Sequence, residues 1–251
     1  MLMNNSELTL NKQNKIGNIK RIINFIQRVI RNIRNISLIF FYTSKVIFTK
    51  QVLSIFIVTI IYYVIQISQS IYLASQIFYA IQFYTGIITI TLSMGLITGE
   101  KERNTFSFFL SSVHYPNQII FIKLGTAMVW VLSLIVIQAY LYYIFFPDFS
   151  PLTMIIFSTI NMSVIGITTL IISTFTKNTF IAGFISAVIF FIHFKLLPQI
   201  GPINIFMYYF NDEKKTYLPS LVIIENRIIV IIVIIALYDY LIRRIRKMEI
   251  T

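Results

Sequence analysis

The chain has 251 residues, 57% of them hydrophobic and 12% charged, with a mean hydropathy of +0.80. Soluble domains carry about 25% charged residues, so the composition excludes a soluble globular protein and specifies a multi-span membrane protein. The absence of cysteine rules out a disulfide frame or thiolate site, and two histidines, His114 and His193, are too few for a histidine metal site.

A net charge of +12 would suggest nucleic acid in a soluble protein. Here the charge is one-sided along the chain, so it reads as a determinant of orientation, with no nucleic-acid partner.

Residues 1–14 are polar and lack the apolar core of a secretory signal. From Ile16 to Ile36, Ile19, Ile22, Ile23, Ile26, Val29, Ile30 and Ile33 fall on one helical face and the basic residues largely on the other. That pattern predicts a basic amphipathic helix lying on an anionic leaflet. Ser37 to Gln51 reads as a second, more apolar interfacial helix, so residues 1–51 form a tail with two surface helices.

Residues 52–242 read as an all-α, six-span transmembrane domain, each span near the ~20 residues a bilayer needs. The predicted spans are 52–70, 76–97, 124–146, 152–175, 179–197 and 221–242. Pro147-Asp148-Phe149-Ser150-Pro151 marks one turn and Thr176-Lys177-Asn178 another. Residues 198–219 form the longest break, and the aromatic run Phe206–Phe210 within it reads as an interfacial or re-entrant helix. Residues 243–251 form a basic tail. Of the Lys and Arg residues, this layout leaves only Lys195, Lys214, Lys215 and Arg227 outside. The positive-inside rule therefore puts both termini in the cytosol.

Between the second and third spans lies Gly99-Glu100-Lys101-Glu102-Arg103-Asn104-Thr105-Phe106-Ser107-Phe108-Phe109-Leu110-Ser111-Ser112. Four consecutive charges are too costly for hydrocarbon, and Phe106, Phe109 and Leu110 share a helical face. A short helix of this kind suits docking on a soluble partner. The run Gly99–Thr105, then Phe109–Ser112, then Ile119-Ile120-Phe121-Ile122-Lys123-Leu124, resembles the signature of ABC type-2 exporter permeases. Two departures stand out: Phe106-Ser107 where that family usually has Leu-Glu, and Val113–Pro116 where it commonly has Pro-Val/Ile-Ser/Thr-Arg.

The resemblance implies that residues 37–51 are an elbow helix and that 99–112 is a cytosolic coupling helix. Gly99, Glu100, Lys101, Glu102, Arg103, Thr105, Phe106 and Phe109 would then be its partner-coupling residues. It further implies a bacterial cell membrane, two permease subunits (identical or related), and separate nucleotide-binding ATPase subunits that carry ATP-Mg. No G-x-x-x-x-G-K-[ST] phosphate loop is present in the chain, so ATP hydrolysis is expected on a partner and no cofactor or catalytic site here. The apolar, aromatic interior favours an amphipathic or hydrophobic cargo such as membrane-active peptides, including export for self-protection.

Ionisable residues in or near spans are functional candidates. His193, Lys195, Glu225 and Arg227 read as interface anchors, and Asp239 and Arg243 as an i, i+4 pair. Neutral polar residues in the spans (Gln66, Gln69, Gln82, Thr85, Thr89, Thr91, Gln138, Asn161, Thr168) read chiefly as helix–helix hydrogen-bonding groups. By analogy with the family, Gln82, Phe83, Thr85 and Thr89 are candidates for a translocation path at a permease dimer interface. Gly86, Gly95, Gly125, Gly166 and Gly183 suit close helix approach. Two other classes compete: a non-transporting immunity or sensor protein that binds a peptide, and an intramembrane enzyme, for which the histidines are too few and misplaced.

Overall fold

A computed structural model describes residues 74–103, 116–145, 150–196, 210–211, 216–217 and 220–250, together with helical pieces between residues 34 and 65. The chain divides into two units, Met1–Tyr42 and Thr43–Thr251. Of the predicted basic amphipathic helix, Arg34 is helical; of the predicted elbow, Ser37, Leu38 and residues 40–45 are helical, and of the predicted first span, residues 57–62. The rest of the basic amphipathic helix lies outside the described residues.

Among the described residues, the second unit holds the continuous helices α1 (Ala74–Glu102), α2 (Pro116–Phe145), α3 (Pro151–Phe175), α4 (Thr179–Leu196) and α5 (Ser220–Ile250). Among the described residues three helical stretches are long and apolar enough to cross a membrane: Ala80–Glu102, Ile120–Ile144 and Pro151–Phe175. The chain is a helical, multi-pass membrane protein. α4 carries a shorter apolar stretch, Thr179–Phe194. α5 is long, but Glu225, Arg227 and Asp239 interrupt its apolar run.

Helix α3 is central and packs against α1, α2, α4 and α5. Its start is set by Ser150, whose Oγ accepts from Thr153 N at 3.5 Å, and by Pro151 in the first turn, where a missing N–H costs nothing. The core between α1, α2 and α3 holds Ile88, Leu92, Val131, Leu134, Ile135, Met162 and Leu170. Close side-chain packing holds these faces together inside the bundle, while Val129, Ile137, Phe180, Phe184, Ile228 and Ile235 stay exposed, as suits hydrocarbon contact.

Three boundaries depart from the sequence expectation. α1 does not stop at residue 97; it runs on through the charged run to Glu102, because those charges find partners on neighbouring helices. α2 starts at Pro116, eight residues before the predicted span, since proline is well placed in a first turn. α5 continues through Arg243–Lys247 to Ile250, so residues 243–250 are helix and not a loose tail. No glycine or proline interrupts that stretch, Asp239 and Arg243 pair at 2.8 Å, and the Arg244 guanidinium stacks on the Phe175 ring at 4.6 Å.

Within residues 198–219, Phe210–Asn211 (β1) and Thr216–Tyr217 (β2) pair antiparallel, Phe210 opposite Tyr217 and Asn211 opposite Thr216. The reading of 206–210 as a helix is corrected at Phe210, which pairs as a strand with Tyr217; residues 206–209 and 212–215 lie outside the described residues.

Candidate functional site

The end of α1 is where the charged motif meets the bundle. Three consecutive side chains on a helix point about 100° apart, so Glu100, Lys101 and Glu102 can each reach a different neighbour. Glu100 forms an ion pair with Lys123 of α2, and both side chains are largely shielded. Lys123 Nζ also donates to Leu96 O at 3.3 Å, which ties it back to α1.

Lys101 Nζ donates to three backbone oxygens at the end of α3: Ser173 O at 3.0 Å, Thr174 O at 2.6 Å and Thr176 O at 3.1 Å. The last carbonyls of a helix lack intrahelical partners and carry the negative end of its dipole. An ammonium satisfies both.

Glu102 does the converse. Its Oε1 accepts from Thr179 N at 2.7 Å, at the start of α4, where unpaired N–H groups and the positive dipole end lie. Asn178 assists, with Oδ1 accepting from Ile181 N at 3.1 Å. The Thr98 and Thr179 hydroxyls meet at 2.9 Å, and Ser173 Oγ donates to Met94 O at 3.2 Å. One turn of α1 therefore grips α2 and both sides of the α3–α4 corner, each charge matched in sign to what it meets.

Glu100 and Lys101 are half-buried and belong to the end of α1; burial is tolerated because each has a charge-assisted partner. Arg103 is exposed. Gly99 has open space where a Cβ would stand, so neither close approach nor backbone strain calls for glycine there. Thr105, Phe106 and Phe109 lie outside the described residues.

A second polar constellation runs through the middle of the bundle. Gln82 Nε2 donates to Ser158 Oγ at 2.5 Å, Asn161 Nδ2 donates to Gln82 Oε1 at 3.3 Å, and Arg227 Nη1 donates to Asn161 Oδ1 at 2.7 Å. The guanidinium lies over the Phe157 ring at 4.7 Å. Thr85 Oγ1 donates to Gln138 Oε1 at 3.0 Å, and Thr89 Oγ1 returns to Thr85 O at 2.8 Å. α1, α2, α3 and α5 are thus stitched by polar contacts in an apolar interior.

Gln82, Thr85 and Thr89 are all buried; Gln82 and Thr85 bind α1 to α3 and α2, whereas Thr89 bonds within α1. Phe83 stacks on Phe190, with ring centroids 5.7 Å apart, and meets Phe194 at 5.1 Å. Arg227 is only 7% exposed, which corrects its reading as an interface anchor. Its place beside Asn226 in an apolar run was the available signal, but Asn161 and Ser158, far away in sequence, decide its burial. Ser158, Ser173 and Thr98 carry no signal in the sequence, since isolated hydroxyls in spans usually bond to their own helix.

Among the described residues no group of three or more His, Asp and Glu side chains could hold a metal ion. Compared with known proteins, the chain matches no family model, no curated protein and no solved structure.

Proposed function

We propose that the chain is the permease subunit of an ATP-driven exporter of the ABC type-2 kind. In this reading six spans sit in a bacterial cell membrane with both termini cytosolic, and residues 99–112 dock on separate ATPase subunits that carry ATP-Mg. A second permease, identical or related, completes a path for an amphipathic or hydrophobic cargo such as a membrane-active peptide.

The observation that supports this reading best is the reach of Glu100, Lys101 and Glu102 from one turn of α1 to α2, α3 and α4. A push on the segment that follows is then delivered to four helix ends together. A merely solvated charged turn would deliver it to one. Gln82, Phe83, Thr85 and Thr89 join the path in this scheme only if α1 turns away from Ser158, Gln138 and Phe190 during transport.

The test is reconstitution of the chain with its ATPase partner in lipid vesicles, comparing native protein with Glu100→Ala/Glu102→Ala. The expected result is assembly, with ATP turnover stimulated by the native chain and uncoupled by the double change. Failure of any ATPase to bind, with retained binding of a peptide ligand, would replace the exporter reading with the immunity or sensor reading.

A further inference from the structure

Halfway along α3, a cavity of about 80 Å³ opens between α3 and α4. Val164, Ile165, Thr168 and Thr169 form one wall, and Ser186, Ile189, Phe190 and His193 the other. Two of the polar groups in these walls are turned away from any ligand. Thr169 Oγ1 donates to Ile165 O at 2.8 Å and Ser186 Oγ to Ala182 O at 2.7 Å, both within their own helices. Thr168 and His193 are the other polar residues of the lining, and apolar surface from Val164, Ile165, Ile189 and Phe190 dominates it. So little polar surface holds water poorly, and the crevice favours hydrocarbon.

The outer surface of α4 is apolar too. Ile185, Ile189 and Ile192, on the same stretch of α4, are exposed. α3 is long and apolar enough to cross a membrane, so a crevice at its midpoint opens at the depth of lipid tails. A space of this size admits the end of an acyl chain and not a whole lipid.

The floor is held open by a close approach. The Phe190 ring sits directly on Gly86 of α1, so near that a Cβ at Gly86 would strike it. With its ring lodged on α1 and against Phe83 and Phe194, Phe190 is kept from swinging into the crevice.

We propose that this crevice is a binding site for the acyl-chain end of a bilayer phospholipid, seated between α3 and α4. It is independent of whether the chain transports anything. The test uses the full chain in phosphatidylethanolamine/phosphatidylglycerol vesicles doped with a phospholipid carrying a diazirine near its chain end, with photolabelled positions mapped by mass spectrometry. Labelling is expected on Thr168, Ser186 and Phe190 inside the crevice as well as on the exposed α5 positions Ile228 and Ile235, which serve as the surface reference. Val164→Phe and Thr168→Phe fill the space from α3, and Gly86→Ala displaces the Phe190 ring from the opposite side. Each should abolish labelling inside the crevice and leave the α5 reference unchanged.

Labelling inside the crevice that persists in the filled variants would overturn the proposal. So would labelling confined to α5 in the native chain. Because the chain has no cysteine, Ile189→Cys offers a clean second measurement. A disulfide between two copies, with the crevice unlabelled, would mean that another copy covers it and not lipid.

Discussion

Arg227 of α5 donates to Asn161 of α3 at 2.7 Å in a part of the bundle where both side chains are almost fully buried. A hydrogen bond to a charged group contributes about 1.5–3 kcal/mol, and a buried donor left without its acceptor costs on the same scale. Asn161→Leu should therefore lower stability by about 2 kcal/mol or more, seen as a lower thermal midpoint in detergent. Asn161→Leu/Arg227→Leu should recover part of that loss, since removing both members is milder than stranding one. A double variant less stable than the single would contradict this.

The grip of α1 on the α3–α4 corner gives a sharper test. Lys101 and Glu102 answer the ends of two different helices, not each other. Exchanging them, as Lys101→Glu/Glu102→Lys, puts a carboxylate against the carbonyls of Ser173, Thr174 and Thr176 and an ammonium against Thr179 N. The swap should be worse than either single change, with faster amide exchange in the last turn of α3 and the first of α4. Rescue by the swap would mean that the two pair with each other instead.

Glu100 and Lys123 do answer each other, so Glu100→Lys/Lys123→Glu should behave oppositely. Each single change strands a shielded charge, whereas the swap should restore much of the lost thermal stability. Recovery should be incomplete, because Lys123 also donates to Leu96 O and a carboxylate there cannot.

Two glycines separate packing from flexibility. Gly86→Ala forces the Phe190 ring to move and should cost about 1–3 kcal/mol, as overpacking does. Gly99→Ala meets open space and should be neutral or stabilise by up to about 1 kcal/mol, the usual helix penalty of glycine. If Gly99→Ala folds well and yet blocks coupling, bending at that point is part of the action.

The exposed pair Asp239–Arg243 supplies the contrast. Exposed i, i+4 pairs contribute only a few tenths of a kcal/mol, so Asp239→Asn should leave the thermal midpoint unchanged within error.

Much of the helix layout was legible in the sequence because apolar runs bounded by Pro147–Pro151 and Thr176–Asn178 leave few alternatives. α3 and α4 lie almost where those breakers place them. The ends of α1 and α5 were not legible, since charged residues normally stop a span and only their partners let the helix continue. Lys101 illustrates why: nothing near it in sequence announces that Ser173, Thr174 and Thr176 will offer it their carbonyls. Glu100–Glu102 stood out through composition alone, whereas the Gln82–Asn161–Arg227 thread joins residues scattered over three helices. A contact across such distances leaves no local pattern to read.

The α3–α4 corner is only three residues long, Thr176, Lys177 and Asn178. Lys101 holds the carbonyls at the end of α3 and Glu102 the first N–H of α4, so both ends of that short link are fastened to one turn of α1. The corner therefore works as a pivot and not as a slide: α3 and α4 can tilt about it, but neither can shift along its own axis without breaking a charge-assisted bond.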